Sequence, residues 1–167
     1  LDWGTRPRQV KPTSIASLRA SSPQASRNTG SSSRPARVPP NNGEKYVLLV
    51  VEDDPDLAQL VIDIFMTAGF EVHWASNKAE INQQMNRRPS VDLVLLDILL
   101  PDAHGLDVLK RIRAHPKLSK LPVVMMTGKS TALDVAAGLS AGADGYVTKP
   151  FKMSGLVKAV KQVLGIA

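Results

Sequence analysis

The sequence predicts an α/β fold, a doubly wound five-stranded parallel sheet with helices on both faces. Two observations carry this prediction. Short apolar runs rich in Val and Leu recur along residues 45–167, and a segment with helical periodicity follows each run. Parallel strands need a crossover of about a dozen residues or more between them, usually a right-handed helical one. Strict alternation of apolar runs and helical segments therefore indicates a parallel sheet that helices cover on both sides.

Five segments have the composition of strands. They are residues 45–52 (KYVLLVVE), 70–75 (FEVHWA), 91–97 (VDLVLLD), 122–127 (PVVMMT) and 145–149 (GYVTK). Continuous apolar runs of this length are typical of parallel strands that are buried on both faces. The segment 70–75 is more polar than the others, so we expect it at an edge of the sheet.

Five segments have the pattern of helices: residues 55–69, 78–88, 105–115, 132–142 and 153–165. The first is the best marked, because Asp54 suits the N-cap, Pro55 suits the first helical position and Gly69 suits the end. Its predicted apolar stripe consists of Leu57, Leu60, Val61, Ile64 and Phe65. We interpret Arg87 and Arg88 as part of the solvated face of the second helix.

Composition and charge limit the function further. The chain has 167 residues, no cysteine and no apolar run long enough to span a membrane, so we expect a soluble, cytoplasmic protein without thiol chemistry. Residues 1–44 hold seven Lys/Arg against two acidic residues and are rich in Ser and Pro. They are predicted to form a flexible basic linker or tail before a domain of residues 45–167. Nucleic-acid binding is not expected, because the basic residues are sparse and few aromatics lie among them.

Side chains that can carry chemistry follow four of the predicted strands. Glu52 and Asp53 follow the first strand, Asp97 ends the third, Thr127 ends the fourth and Lys149 ends the fifth. The carboxyl ends of parallel strands meet at one edge of the sheet, which is where open α/β sheets bind ligands. We therefore expect three carboxylates, a hydroxyl and an amine to converge there.

Such a cluster needs a cation. Three carboxylates at one edge repel each other and raise one another's pKa unless a cation shares them, and Mg²⁺ prefers oxygen ligands of this kind together with phosphate oxygens. Lys149 and Thr127 would add a positive charge and a hydroxyl donor, which suit a phosphoryl group in transfer. Asp97, central in the cluster, is the candidate nucleophile.

Four segments also resemble a known family. In this order and with these spacings, VLLVVEDDPD, DLVLLDILLPDAHGLDVL, PVVMMTG and GADGYVTKPF resemble the receiver domain of two-component response regulators, over residues 45–167. The resemblance implies a flavodoxin-like sheet with strand order 2-1-3-4-5. It also implies a phosphoacceptor switch, which catalyses only its own phosphorylation and dephosphorylation.

The resemblance implies a role for each residue of the cluster. Asp97 accepts a phosphoryl group from a phosphohistidine on a histidine kinase or a histidine phosphotransfer domain. Asp53, Asp97 and the backbone carbonyl of Leu99 bind Mg²⁺, and Glu52 acts on the ion through water. Because Leu99 has no polar group to orient a water molecule, we expect the phosphoryl group to be lost slowly.

The resemblance also implies how the phosphoryl group is sensed. Thr127 and Lys149 contact its oxygens, and Tyr146 is the aromatic switch that turns inward when Thr127 moves toward the phosphate. The surface that responds is the fourth helix, fifth strand and fifth helix, roughly residues 130–165, through which a homodimer could form.

Several alternatives stay open. A Mg²⁺-dependent phosphohydrolase of the haloacid-dehalogenase type also has a nucleophilic Asp after an apolar strand, but it needs a second Asp where this chain has Leu99. Asp54 suits an N-cap better than a metal ligand, and Tyr146 could be only a half-buried aromatic. Within the receiver prediction we favour the C-terminal receiver of a longer hybrid sensor kinase. The alternative is a stand-alone response regulator.

Overall fold

The structure, a computed structural model, describes residue 40 and residues 44–88, 90–128 and 132–166. Apart from residues 40 and 44, the predicted tail of residues 1–44 lies outside the described residues. The strands are β1 (Val47–Val51), β2 (Glu71–Ala75), β3 (Leu93–Asp97), β4 (Val123–Thr127) and β5 (Gly145–Thr148). They form one parallel sheet in the order β2-β1-β3-β4-β5. The predicted fold class and strand order are confirmed, with β2 at an edge.

The helices are α1 (Pro55–Thr67), α2 (Lys78–Met85), α3 (Gly105–Ala114), α4 (Ala132–Ser140) and α5 (Met153–Leu164). All five predicted helices are present, and each ends slightly earlier than predicted. The largest difference is in α2, where the amides of Asn86 and Arg87 bond the carbonyls of Gln83 and Gln84. Bonds of this shorter span close the last turn. Arg87 and Arg88 are exposed to solvent, as we interpreted, but they lie beyond the helix rather than on its face. None of the helices in the described ranges has the length and apolarity that a membrane crossing requires.

Helix α1 confirms its predicted cap and corrects part of its predicted stripe. The Asp54 carboxylate accepts hydrogen bonds from the amides of Asp56 and Leu57, at 3.0 and 3.3 Å. Val61 and Phe65 are buried, but Leu60 is 48% exposed. The buried side is centred on Val61 and Phe65, and Leu60 lies about 100° around the helix from Val61, on its flank.

Both faces of the sheet are buried. Leu48 and Val50 of β1 lie in one apolar cluster with residues of α1 and α5, whereas Leu49 and Val51 lie in the other with residues of α2 and α3. This alternation follows from the period of two along a strand. Because β1, β3 and β4 are buried along their whole length, the residues at their carboxyl ends are attached to the close-packed core of the domain.

Candidate functional site

Three carboxylates converge at the carboxyl edge of the sheet, as predicted. One oxygen from each of Glu52, Asp53 and Asp97 lies within 4.8 Å of the others. Glu52 is 1% exposed and Asp97 is 6% exposed, whereas Asp53 faces solvent. The cluster forms because β1 and β3 are neighbours in register, with Val51 opposite Leu96. Within the part of the chain that the structure describes, no other group of three or more acidic or histidine side chains is spaced to hold a metal ion.

Both oxygens of Asp97 have hydrogen-bond donors. Oδ1 accepts from the backbone amide of Leu99 at 3.2 Å, and Oδ2 accepts from Nζ of Lys149 at 3.0 Å. Glu52 has the same arrangement, because Oε1 accepts from the Asp54 amide at 3.1 Å and Oε2 accepts from Lys149 Nζ at 2.6 Å. The ammonium therefore bridges the two buried carboxylates and fixes their orientation.

Lys149 is positioned by the end of β5. Its amide donates to the Thr127 carbonyl at 2.7 Å, and the peptide bond to Pro150 is cis. Burial tends to lower the pKa of the Lys149 ammonium, but its hydrogen bonds to Glu52 and Asp97 and their charges outweigh this, so the pKa lies above its usual value. Burial raises the pKa of the Glu52 carboxyl, and the charge of Asp97 adds to the rise, although the bond from Lys149 opposes it.

The residues present fit a magnesium ion. The donors are all carboxylate oxygens, the hard ligands that Mg²⁺ prefers. When ionised, three carboxylates against the one ammonium of Lys149 leave two negative charges uncompensated. A divalent cation would neutralise these two charges.

Thr127 and Tyr146 lie next to this cluster. Thr127 ends β4, is 1% exposed and lies one strand away from Asp97, which is opposite Met126. A hydrogen bond joins the Thr127 and Tyr146 side chains. Burial and the charge of Asp134 raise the pKa of the Tyr146 hydroxyl, and this bond opposes them in part. The Tyr146 hydroxyl therefore lies close to Thr127, while the residue as a whole is only partly buried.

Two further residues lie beside the cluster, and the sequence reasoning gave neither of them a role in the site. The indole Nε1 of Trp74 donates to the Glu52 carbonyl at 2.9 Å, a contact that depends on the register of β2 against β1, in which Trp74 lies opposite Val50. Gly105 is the first residue of α3, and its amide donates a hydrogen bond to the Ile98 carbonyl at 2.6 Å. A Cβ at this position would collide with the backbone of Asp97 and Ile98, so only glycine fits beside the candidate nucleophile.

Fold and site together define a class, doubly wound α/β domains with an acidic ligand site at the carboxyl edge. Within that class, the response regulator receiver domain family matches this chain over residues 48–161. The DNA-binding response regulator MtrA of Mycolicibacterium smegmatis is 41% identical over 115 residues, which cover 68% of this chain and 48% of that protein. The CpxR homolog of Haemophilus influenzae is 38% identical over 117 residues, covering 70% and 49%. The chain thus spans about half the length of the curated relatives it matches.

Solved structures agree with the family match. A putative response regulator from Chloroflexus aurantiacus is 36% identical, with a TM-score of 0.67 over 72% of this chain and 98% of that one. The signal receiver domain of a histidine kinase from Syntrophus aciditrophicus is 30% identical, with a TM-score of 0.63 over 71% and 89%. This chain belongs to the response regulator receiver domain family. It is a receiver domain of two-component signalling, a switch rather than a classical enzyme, and the predicted resemblance is confirmed.

Proposed function

We propose that Asp97 accepts a phosphoryl group from a phosphohistidine on a histidine kinase or a histidine phosphotransfer domain. The observation that carries this proposal is the bridge from Lys149 to Asp97 and Glu52 at the carboxyl edge. It holds a nearly buried carboxylate in one orientation beside a compact group of oxygen ligands. Membership of the receiver family supports partners of this kind.

The transfer needs little beyond positioning and charge. A carboxylate oxygen of Asp97 forms a bond to phosphorus, and the P–N bond of the phosphohistidine breaks with its electron pair returning to the imidazole nitrogen. Lys149 would neutralise charge on the phosphoryl oxygens, and the Thr127 hydroxyl would donate a hydrogen bond to one of them. In phosphoryl transfer these effects make up most of the catalysis.

We assign the metal ligands to the same cluster. Asp53, Asp97 and the backbone carbonyl of Leu99 would hold Mg²⁺, and Glu52 would act through water. The bound ion would supply neutralisation of phosphoryl charge. Asp53 suits direct binding because it is exposed at the mouth of the cluster, whereas Glu52 is already held by Lys149 and by the Asp54 amide.

The proposed output runs through Thr127 and Tyr146 to the surface formed by α4, β5 and α5. When Thr127 turns toward a phosphoryl group, its bond to Tyr146 changes, and Tyr146 packs against Gly138 of α4. Phosphorylation would thereby alter this surface and favour homodimer formation through it. Size-exclusion chromatography with light scattering before and after phosphorylation tests this step.

The phosphoacceptor is tested with a small phosphodonor. Incubation with acetyl phosphate and Mg²⁺ followed by intact mass spectrometry is expected to add one phosphoryl group to the wild type and none to Asp97→Asn. Asp107→Asn, which changes an exposed aspartate on α3, is the matched control and should be phosphorylated normally. Phosphorylation that survives Asp97→Asn, or that does not need Mg²⁺, would contradict the proposal.

We also propose that the phosphoryl group is lost slowly. The Leu99 side chain is 50% exposed and offers no donor or acceptor to a hydrolytic water. Leu99→Asn introduces a hydrogen-bond donor and an acceptor at this position, so its phosphoryl group should be hydrolysed faster. The decay of the phosphorylated mass after removal of the phosphodonor measures the rate. A wild-type lifetime of seconds would contradict this.

The architecture around the receiver is a separate proposal. We favour the receiver of a longer, cytoplasmic hybrid sensor kinase, which the likeness to the Syntrophus kinase receiver supports. The alternative is a response regulator, either stand-alone or joined to a DNA-binding half as the names of the curated relatives indicate for those proteins. An immunoblot of whole cells with an antibody against residues 45–167 would distinguish the two architectures. A kinase fusion would migrate far above the 18.0 kDa of this chain.

A further inference from the structure

An open cleft lies at the amino edge of the sheet, at the other end of the strands that carry Asp97 and Thr127. Its volume is about 780 Å³. Part of its wall is formed by the residues that lead into β3 and β4, namely 91–92 and 121–122. The cleft is therefore separate from the phosphoacceptor site, with the length of the sheet between them.

The rim of this cleft is basic. Arg87 and Arg88 follow α2 on one side, and Lys117 and Lys120 lie between α3 and β4 on the other. All four side chains are exposed. The two arginines donate hydrogen bonds to the neutral oxygens of Gln84 and Ser90. None of the four residues takes part in the ion pairs found within the described part of the chain. We call these four residues the basic rim.

Little negative charge in the cleft offsets the rim. Asp92 is the acidic residue of the lining, but it is 3% exposed and its Oδ2 accepts a hydrogen bond from the Val47 amide at 2.7 Å. Its single negative charge offsets only part of the four positive charges of the basic rim. The rim consequently presents a net positive charge to anything that enters the cleft.

The lining of the cleft also includes an apolar set of residues and one aromatic ring, the imidazole of His115. The apolar set, which we call the floor, consists of Met85, Val91, Leu118, Leu121 and Pro122. Duplex nucleic acid would meet the rim through its phosphates and leave such a floor unused. Single strands depend on a series of aromatic side chains on which successive bases stack, and the one imidazole of His115 does not supply such a series. A peptide segment with an apolar side chain between carboxylates matches both the floor and the rim.

We propose that this cleft docks an acidic peptide segment of a partner protein. Asp or Glu side chains of the segment pair with the basic rim, and an apolar side chain between them lies on the floor. Residues 1–44, with seven basic and two acidic residues, precede β1, which begins at this same edge. Their net positive charge disfavours them as the occupant of a cleft with a basic rim.

The test is an NMR titration of the ¹⁵N-labelled chain with a short peptide of alternating Glu and Leu. The amides of Ser90, Leu118 and Leu121 are expected to shift, and a peptide with Lys in place of Glu should leave them unchanged. In the double variant Arg88→Glu/Lys117→Glu the dissociation constant should rise by about tenfold. Lys110→Glu/Lys158→Glu, at exposed positions on α3 and α5, makes the same charge change elsewhere and should bind as the wild type does.

Two further variants test the role of the floor and the independence of this cleft from the phosphoacceptor site. Leu118→Ser should weaken binding with the rim intact, and its backbone spectrum shows that the domain is folded. Asp97→Asn should bind the peptide normally, so failure of the phosphoacceptor proposal and failure of this one are distinguishable. The proposal is overturned if the cleft amides do not shift, if the control double variant loses binding equally, or if a DNA oligonucleotide binds there more tightly than the peptide.

Discussion

The two ends of β3 carry aspartates that are almost equally buried and behave differently. Asp92 enters the strand at 3% exposure and Asp97 leaves it at 6%. At the amino end, Asp92 accepts the Val47 amide at 2.7 Å and so fixes the start of the neighbouring strand. At the carboxyl end, Asp97 faces Lys149 and lies beside Glu52 and Asp53.

This contrast shows that burial alone does not identify a functional carboxylate. At Asp92 the charge is used to join two strands. At Asp97 the ammonium that balances it is shared with Glu52, so negative charge remains for a cation. Asp144 repeats the structural pattern at the start of β4, because its Oδ2 accepts from the Val123 amide and from Arg113.

The largest expected effect comes from exchanging the two aspartates for alanine. Asp97→Ala should abolish phosphorylation by acetyl phosphate but change stability little, since it removes one of three crowded acids. Asp92→Ala should retain phosphorylation and lose about 2 kcal/mol of unfolding free energy, because the buried Val47 amide loses a charged acceptor. Urea unfolding and intact mass measure both properties. If the two variants had the same effects on phosphorylation and on stability, the different roles given to Asp92 and Asp97 would be contradicted.

The next effect tests the shared ammonium. Lys149→Met should lower the rate of phosphorylation by about a hundredfold, whereas Lys152→Met, at an exposed position before α5, should not. Because the folded-state pKa of Lys149 is raised, its ion pairs stabilise the fold below the usual lysine pKa. That stability is lost as the pH rises through the raised value. The difference in Tm between wild type and Lys149→Met should therefore shrink in strongly alkaline buffer.

A third change probes the backbone beside Asp97. Gly105→Ala places a methyl group against the Asp97 and Ile98 backbone and should cost about 2 to 3 kcal/mol, with slower phosphorylation as the loop shifts. Gly155→Ala in α5, where a Cβ meets open space, should instead stabilise the domain by about 0.5 to 1 kcal/mol. Thermal unfolding distinguishes the two. Equal effects would mean that the close approach at Gly105 is not a constraint.

The smallest expected effect concerns Trp74. Trp74→Phe removes the hydrogen bond to the Glu52 carbonyl and should cost about 1 kcal/mol in unfolding free energy. In a Trp3→Phe background, which leaves Trp74 as the one tryptophan of the sequence, Mg²⁺ should change the indole fluorescence. Addition of Asp97→Asn should weaken that response, and a response independent of Asp97 would argue against metal binding at the cluster.

Most of the fold could be predicted because strand and helix patterns alternate without ambiguity. What could not be predicted depends on tertiary geometry. The flank position of Leu60 follows from where α1 rests on the sheet, and the end of α2 at Met85 follows from its last backbone bonds. That early end moved Arg87 and Arg88 from a supposed helix face to the rim of a cleft.

The site could be located from the sequence because parallel strands bring their carboxyl ends to one edge. This placed Glu52, Asp53 and Asp97 together without any knowledge of side-chain positions. The sharing of Lys149 between two acids was not predictable, because it depends on where a long, flexible side chain rests. The different use of Asp92 was hidden for a related reason, since its partner, Val47, is 45 residues away.

Asp97 is the residue that we propose to carry the phosphoryl group. Reduction of the phosphorylated chain with sodium borohydride converts an aspartyl phosphate to homoserine, which tandem mass spectrometry of peptides locates. We predict homoserine at position 97 alone, and only when Mg²⁺ and the phosphodonor were both present. Homoserine at Asp53, Asp54 or Asp92, or at no position in a chain that gained the phosphoryl mass, would contradict the account.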